Sequence, residues 1–557
     1  MNSGLAGQRA LRATLAVLLG TLTLLAPSGV PLANDTSHLS RLMWLLVASL
    51  PWMLVVYMLL RRSQFGHLVG RILSVAVIVL ATRFGMHQLG TYDVSSIVDL
   101  SWRYEQGQSP FRDFPLTLPP TFASTIRASW VLLGHDWSSL VRGSALVTIG
   151  LTVVAWRALS KSGFGSAVNE LLISCALAIP HLAIGHLWHS ALSSQLAVVT
   201  ALCLLAWAKE PTRESCSFLG LFLALLALSK PNVAAPMLIV SVVWVFRYWR
   251  SRNAGMLIGS FAVTGTVVFL VSRTNPIDVW VTNVELLSSR SKPVQLLPSG
   301  LDDFGQFFFV GSYVVLLATL VFVLVTLLVN FRRGITLTLS TIFLGVGCLL
   351  AALAGMATNW DIKSSDMPLA IVGLLLLAWS PIAKDNVNRP SAPSRVVPVL
   401  AVAALTVMNF SIGSTRWRME LTGPMTQPEP TAVLQGRVLD GVHAAPLLQA
   451  VDQQLSQAIA ESANRAVFLG PRLEIFYARF GLDSPKGLPL WWHEGTSYTS
   501  RDKKGIISAF SAAKFPRAIF FKQDFTRFPP ELRAILDRDF TIDERYSQLT
   551  IFWAKTE

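Results

Sequence analysis

A carboxylate at the end of an apolar run, followed at close range by aromatic and guanidinium side chains, is the part of this chain best equipped for chemistry. The stretch runs from Tyr92 to Pro120 and is the first long polar interval. Its acids are Asp93, Asp99, Glu105 and Asp113, and its basic residues are Arg103 and Arg112. Asp93 opens the interval, Gly107, Pro110 and Phe111 follow 14, 17 and 18 residues later, and Pro119-Pro120 closes it. Because Asp93 comes directly after an apolar run, partial desolvation would raise its pKa toward the range useful to a general base. An interfacial cap residue is the structural alternative for the same position. Asp99 and Glu105 read as ordinary carboxylates of a solvated loop.

Other residues have chemistry of the right kind. Lys230, in Ser229-Lys230-Pro231, ends an apolar run with no acid nearby in sequence. It suits either the neutralisation of a phosphate or snorkelling to an interface. The planar guanidinium of Arg112 also matches phosphate geometry, and Arg290 and Lys292 are further cations in a later polar interval. His181, His186 and His189 are spaced by 5 and 3 residues, which puts the last two on one helix face. Metal ligation and hydrogen bonding within a cavity both fit that spacing, the second more simply. Asp361, Lys363 and Asp366 share a short polar interval that could meet a substrate. Cys175, Cys203, Cys216 and Cys348 lie in or beside apolar runs and read as small buried residues. No cysteine or histidine spacing requires a metal or other cofactor, although a divalent ion would be compatible with the carboxylates.

The elements that must position these residues are mostly membrane spans. Of 557 residues, 52% are hydrophobic and 14% charged, and mean hydropathy is +0.51. A bilayer crossing takes about 20 apolar residues for ~30 Å of hydrocarbon. Thirteen such runs can be drawn, at 13–32, 42–60, 72–89, 140–158, 168–187, 190–208, 216–230, 233–249, 255–272, 307–330, 335–356, 367–383 and 396–412. The first, preceded by Arg9 and Arg12, also fits a signal peptide. The fold class expected is therefore a polytopic α-helical membrane protein of about 13 spans.

Charge orients the spans. The N-terminus and the segments 61–71, 157–170, 209–215, 247–253, 331–334 and 384–395 together hold 17 Lys/Arg and 4 Asp/Glu, nearly all of the chain's net +14. That asymmetry makes them cytoplasmic under the positive-inside rule. The basic residues are short flanking clusters such as Arg61-Arg62 and Arg332-Arg333, so a nucleic-acid partner is excluded. The intervals 92–120, 273–306 and 357–366 and the tail from about 413 then face outward. The tail, 413–557, has 18 basic and 16 acidic residues. Its periodicity predicts helices over 444–463, 505–514 and 529–538 and strands over 465–470, 517–522, 541–546 and 549–554. It reads as a small extracytoplasmic α/β domain, either a lid or acceptor platform or an inert cap.

Taken together, these residues resemble the first outer loop of GT-C glycosyltransferases, integral membrane enzymes that take a sugar from a polyprenyl-phosphate or related carrier. The resemblance rests on Asp93, Trp102, Tyr104, Gly107, Pro110, Phe111, Pro119 and Pro120, and extends more loosely over 72–380 through Ser229-Lys230-Pro231. Val94 and Leu118 depart from the pattern, and two spans precede the usual first helix. The resemblance implies three parts: two additional spans in 1–71, a GT-C-like catalytic module in 72–412 with its first outer loop at 90–139, and the tail domain 413–557. It implies a multi-pass protein of the inner (plasma) membrane with an extracytoplasmic site. The donor would be a polyprenyl-phosphate-linked sugar and the acceptor a glycan, lipid or protein. Asp93 would be the catalytic base of an inverting displacement. Lys230, Arg112, Asp113, Tyr104, His189 and Lys363 would contact the substrates. A lipid-linked glycan transporter or flippase, or a non-catalytic envelope assembly factor, is the alternative from another class. Few mid-span charges and no internal repeat favour the enzyme.

Overall fold

The computed structural model describes residues 64–86, 93–184, 188–248, 254–289, 304–332, 336–337, 339–358, 366–379, 381–382, 432–444, 446–461, 466–522, 524–525 and 527–555. The expected spans 13–32, 42–60 and 396–412 lie outside the described residues. In chain order the first helices are α1 (Gln64–Met86), α2 (Asp93–Glu105), α3 (Pro120–Leu133), α4 (Trp137–Ser162), α5 (Ala167–Ile184), α6 (His189–Lys209) and α7 (Arg213–Ala227). They are followed by α8 (Pro231–Tyr248), α9 (Ala254–Ser272), α10 (Pro276–Ser289), α11 (Phe304–Arg332), α12 (Leu339–Thr358) and α13 (Met367–Ala378). Strands β1 (Thr336–Leu337) and β2 (Pro381–Ile382) flank the last two helices. The C-terminal region contains β3 (Ala432–Val433), β4 (His443–Ala444), α14 (Pro446–Ala460), β5 (Phe468–Leu469), α15 (Ile475–Phe480), α16 (Lys503–Ala512), β6 (Arg517–Phe521), α17 (Pro530–Asp539), β7 (Phe540–Asp543) and β8 (Leu549–Ala554). The chain divides into two compact units, one of 1–83, 144–265 and 294–416, the other of 84–143, 266–293 and 417–557.

Among its described residues the first unit is helical, apart from a short antiparallel β1–β2 pair. Each of its described helices falls on an expected span. Among the described residues, Trp137–Ser162, His189–Lys209 and Gly255–Ser272 are long and apolar enough to cross a membrane, and five shorter apolar helices accompany them. Helix α6 is central, with every residue from Ser190 to Trp207 buried. Several of its polar groups find internal partners: Gln195 donates to the Leu177 carbonyl at 2.6 Å, although its Oε1 has no partner, and Thr200 donates to Leu196 at 2.7 Å. Such pairing is required where no water can substitute. Helices α12 and α13 approach closely at Gly345 and Gly373, where a methyl group on either would lie 2.9 Å from the other's carbonyl oxygen. By contrast α11 presents Leu317, Val321, Leu324 and Leu328 outward, the surface a lipid-facing helix needs.

Ion pairs gather at one set of helix ends. Arg71 of α1 pairs with Glu170 of α5 at 2.8 Å, and Arg157 and Lys161 of α4 both reach Glu214 of α7. These are the ends that the charge pattern predicts to be cytoplasmic.

The second unit joins the first polar interval to the tail. The interval expected as a loop begins with a 13-residue helix, α2, and the expected loop 273–306 contains α10. Strands β3 and β4 form an antiparallel pair of their own, and β5 to β8 form one sheet in the order β5-β6-β8-β7, parallel between β5 and β6 and antiparallel elsewhere. The pairs Phe468↔Ala518, Ala518↔Phe552 and Ile542↔Phe552 set its register. Phe468, Trp492, Phe510, Phe515, Phe520, Phe528 and Phe552 form its aromatic core, with α16 and α17 contributing Ile506, Leu532 and Leu536.

Candidate functional site

Two groups of residues fit the chemistry anticipated above, one in each unit. In the second unit the group is built on α2. Asp93 is the first residue of this helix. From Val94 to Tyr104 every residue is buried, although the helix carries Ser95, Asp99 and Arg103 at intervals of four. That spacing aligns them along one face, where the C-terminal segment 474–488 answers each.

Ser95 accepts from the Ile475 backbone N–H at 2.8 Å and donates to Glu474 Oε2 at 2.9 Å. Asp99 accepts from Arg103 Nε at 2.8 Å and from the Ser484 hydroxyl at 2.6 Å. Arg103 also donates to the carbonyls of Pro485 and Leu488, at 2.9 and 3.2 Å, and lies over the Phe114 ring. Trp102 Nε1 donates to the Leu482 carbonyl at 2.8 Å. Burial pushes the Asp99 carboxyl upward from its ordinary value, and the Arg103 guanidinium and the Ser484 hydroxyl pull it back. Asp99, which the sequence suggested was a solvated loop carboxylate, is thus fully enclosed, by Arg103 on its own helix and by Ser484, 385 residues away. Glu105 is exposed and accepts from Trp130 Nε1 at 2.9 Å.

The remaining residues of the interval hold its shape. Gly107 and Phe111 adopt φ values of 77° and 64°, so the chain turns sharply after α2. Asp113 closes the turn by accepting from the Ser109 N–H at 2.8 Å and from Arg112 Nη2 at 2.7 Å. The Arg112 guanidinium, first among these contacts, holds the Asp113 carboxyl below the usual carboxylate range. Arg112 itself is exposed. Tyr104 is buried; its hydroxyl donates to the Ser272 carbonyl at 2.7 Å, and Arg127 stacks over its ring while donating to Val271.

In the first unit the group is built on Lys230, in the short link from α7 to α8. This side chain is only 7% exposed. Its Nζ lies 3.2 Å from the Ser190 hydroxyl at the start of α6 and 3.5 Å from the Gly355 carbonyl near the end of α12. Its backbone N–H donates to Ser193 at 3.1 Å. Asn232 reaches the Ala354 carbonyl at 2.7 Å, and Asp366, buried at the start of α13, lies directly against Gly355. A methyl group on Gly355 would stand 2.3 Å from the Asp366 carboxylate, so only glycine allows this approach. The helix ends that meet here are those the charge pattern places outward.

His189 opens α6 beside Ser190, 3.5 Å from its hydroxyl, with its ring against Trp188. Lys363, Asp361, His186, Arg290 and Lys292 lie outside the described residues. Among the described residues no three His, Cys, Asp or Glu side chains come together as metal ligands. The sequence had marked Lys230 but not its surroundings, which come from elements 40 and 125 residues distant.

With both groups in place, the chain can be set beside known proteins. Its fold is similar to that of ArnT. The alignment with the crystal structure of ArnT from Cupriavidus metallidurans bound to undecaprenyl phosphate covers 87% of this chain and 99% of that one, at 12% identity and a TM-score of 0.49. The apo structure of ArnT aligns over the same shares, at 12% identity and a TM-score of 0.43. No protein-family profile and no curated protein matches the chain. The likeness to ArnT is one of fold alone. At this identity and TM-score it transfers no residue role and no activity.

Proposed function

We propose that this protein is a membrane glycosyltransferase that moves a sugar from a polyprenyl-phosphate carrier to an extracytoplasmic acceptor. The observation that carries this reading is Lys230: a lysine enclosed at the convergence of several helix ends, with its ammonium directed to a hydroxyl and a carbonyl oxygen. An ionisable group so placed in a membrane protein is costly, and such groups mark substrate pathways. Its positive charge suits the lipid phosphate, which gains charge as it leaves the anomeric carbon. Asp93 would take the proton of the acceptor hydroxyl while that oxygen attacks the sugar from the opposite face, so that the anomeric configuration inverts. Arg112, Asp113, Tyr104, His189 and Lys363 remain candidate substrate contacts in this reading. The carrier expected is of the undecaprenyl phosphate kind.

The test is mass spectrometry of the lipids that copurify with wild-type protein, Asp93→Asn and Lys230→Gln in mild detergent. Asp93→Asn should retain a polyprenyl-phosphate sugar that wild type holds only as free polyprenyl phosphate, and Lys230→Gln should hold at least tenfold less of either. A different lipid bound equally by all three proteins would remove the transferase reading.

A further inference from the structure

Helix α2 is buried on nearly all sides, and the C-terminal segment reaches its first turn at Ser95. Ser95, two residues after Asp93, is held between the Ile475 N–H and the Glu474 carboxyl. Glu474 is 4% exposed, and its second oxygen, Oε1, has no hydrogen-bond partner. The groups around it are Ser95 and Asp99 from α2, and the backbone N–H groups of Arg472 and of Glu474 itself, with Tyr477 close by. Among the described residues, the nearby cations are engaged elsewhere: Arg103 is committed to Asp99 and to two carbonyls, and Arg472 pairs with Asp524.

We propose that Glu474 is a positioning residue for the transfer reaction: through Ser95 its carboxyl fixes the first turn of α2, the turn that Asp93 opens. This inference rests on the reading of Asp93 as the base. It gives the C-terminal region a role other than inert cap or acceptor platform, since a general base must be held within a fraction of an ångström of its working position.

The enclosure also makes the contact sensitive to pH. Burial, reinforced by the charge of Asp99, pushes the Glu474 carboxyl up to about 8. Below that value the group is neutral and sits beside Asp99 without repulsion. Above it a second negative charge appears in the same enclosed space; burial and Asp99 outweigh the Ser95 hydrogen bond, which favours the charged form, and the packing that holds Ser95 loosens. The direction is therefore loss of positioning as pH rises through about 8.

The experiment uses full-length protein in lipid nanodiscs, as wild type, Glu474→Gln and Glu474→Ala. Hydrogen–deuterium exchange is followed in the peptide covering 94–100. Activity is followed as release of undecaprenyl phosphate from a panel of undecaprenyl-phosphate hexoses and pentoses, with an envelope lipid extract as acceptor. Glu474→Ala should raise exchange in that peptide about tenfold and lower kcat about tenfold with KM within twofold. Exchange at Phe510 and Phe520 should not change, which separates local loosening from misfolding. Glu474→Gln should match wild type at pH 7 and, unlike wild type, keep its protection and its kcat at pH 9. Wild-type exchange in Glu474→Ala, or parallel losses in wild type and Glu474→Gln above pH 8, would overturn the proposal. If no donor in the panel is turned over by wild type, the transferase reading fails. The exchange data then still decide whether Glu474 holds the turn.

Discussion

At the scale of single residues, the buried charges of α2 do the most to fix its position. Asp99 and Arg103 sit four apart with side chains 0% and 1% exposed, and the arginine spends its remaining donors on backbone carbonyls. A buried pair of this kind adds little over a hydrophobic pair of the same shape, but removing one partner strands a charge in a low dielectric. Arg103→Met should therefore destabilise the protein by about 3–5 kcal/mol. The double variant Arg103→Met, Asp99→Leu should recover much of that loss, because both charges are then gone. Thermal unfolding of wild type, Arg103→Met, Asp99→Leu and the double variant measures this, and a double-variant loss equal to the sum of the two single losses would show that the pair is not coupled. The sequence contained the i, i+4 acid–base pair in plain view. It could not indicate burial, since a solvated helix carries the same spacing and the enclosing segment lies at 482–488.

At the scale of elements, the apolar helices and the C-terminal strands were legible because their periodicity is local. Arg517–Phe521 and Leu549–Ala554 are strands where alternation and β-branched or aromatic residues predict them. Helix α2 was not legible: its apolar residues Val94, Ile97 and Val98 alternate with Ser95, Asp99 and Arg103, so it reads as polar until its partner is known. The Lys230 group illustrates the same limit, since it depends on how closely α12 and α13 approach one another. Gly355 sets that distance, with Asp366 packed where a side chain would begin. Gly355→Ala must displace the Asp366 carboxylate and with it the surroundings of Lys230. Overpacking of this order costs roughly 1–3 kcal/mol, and polyprenyl-phosphate retention should fall at least fivefold. Gly150→Ala, in α4 with nothing within 4 Å of the added methyl, is the control and should retain the lipid normally. Equal retention in both variants would mean that the geometry around Gly355 has no part in holding the carrier.

At the scale of the whole molecule, the distribution of charge makes a claim that does not depend on either site. Seven segments hold 17 of the 46 basic residues and only 4 of the 32 acids. Within the first unit the ion pairs of Arg71, Arg157 and Lys161 collect at those segments, while Lys230, Asn232 and Asp366 meet at the opposite helix ends. The transfer proposed for the outer face needs that polarity, because the candidate phosphate ligand and the candidate base must both be reachable from outside. Two exposed positions test it: Lys486, whose side chain is 72% exposed and 3.9 Å from Asp113, and Arg157, 60% exposed beside Glu214. Neither substitution removes a buried contact, and surface pairs of this kind contribute at most about 1 kcal/mol. In spheroplasts, Lys486→Cys should react with a membrane-impermeant maleimide, whereas Arg157→Cys should react only after the inner membrane is opened. The four native cysteines are buried or half-buried, so the unmodified chain gives the background. Labelling in the reverse order would place Asp113 and the tail in the cytoplasm. The polyprenyl-phosphate reading would then fail at its first requirement, whatever lipid the protein holds.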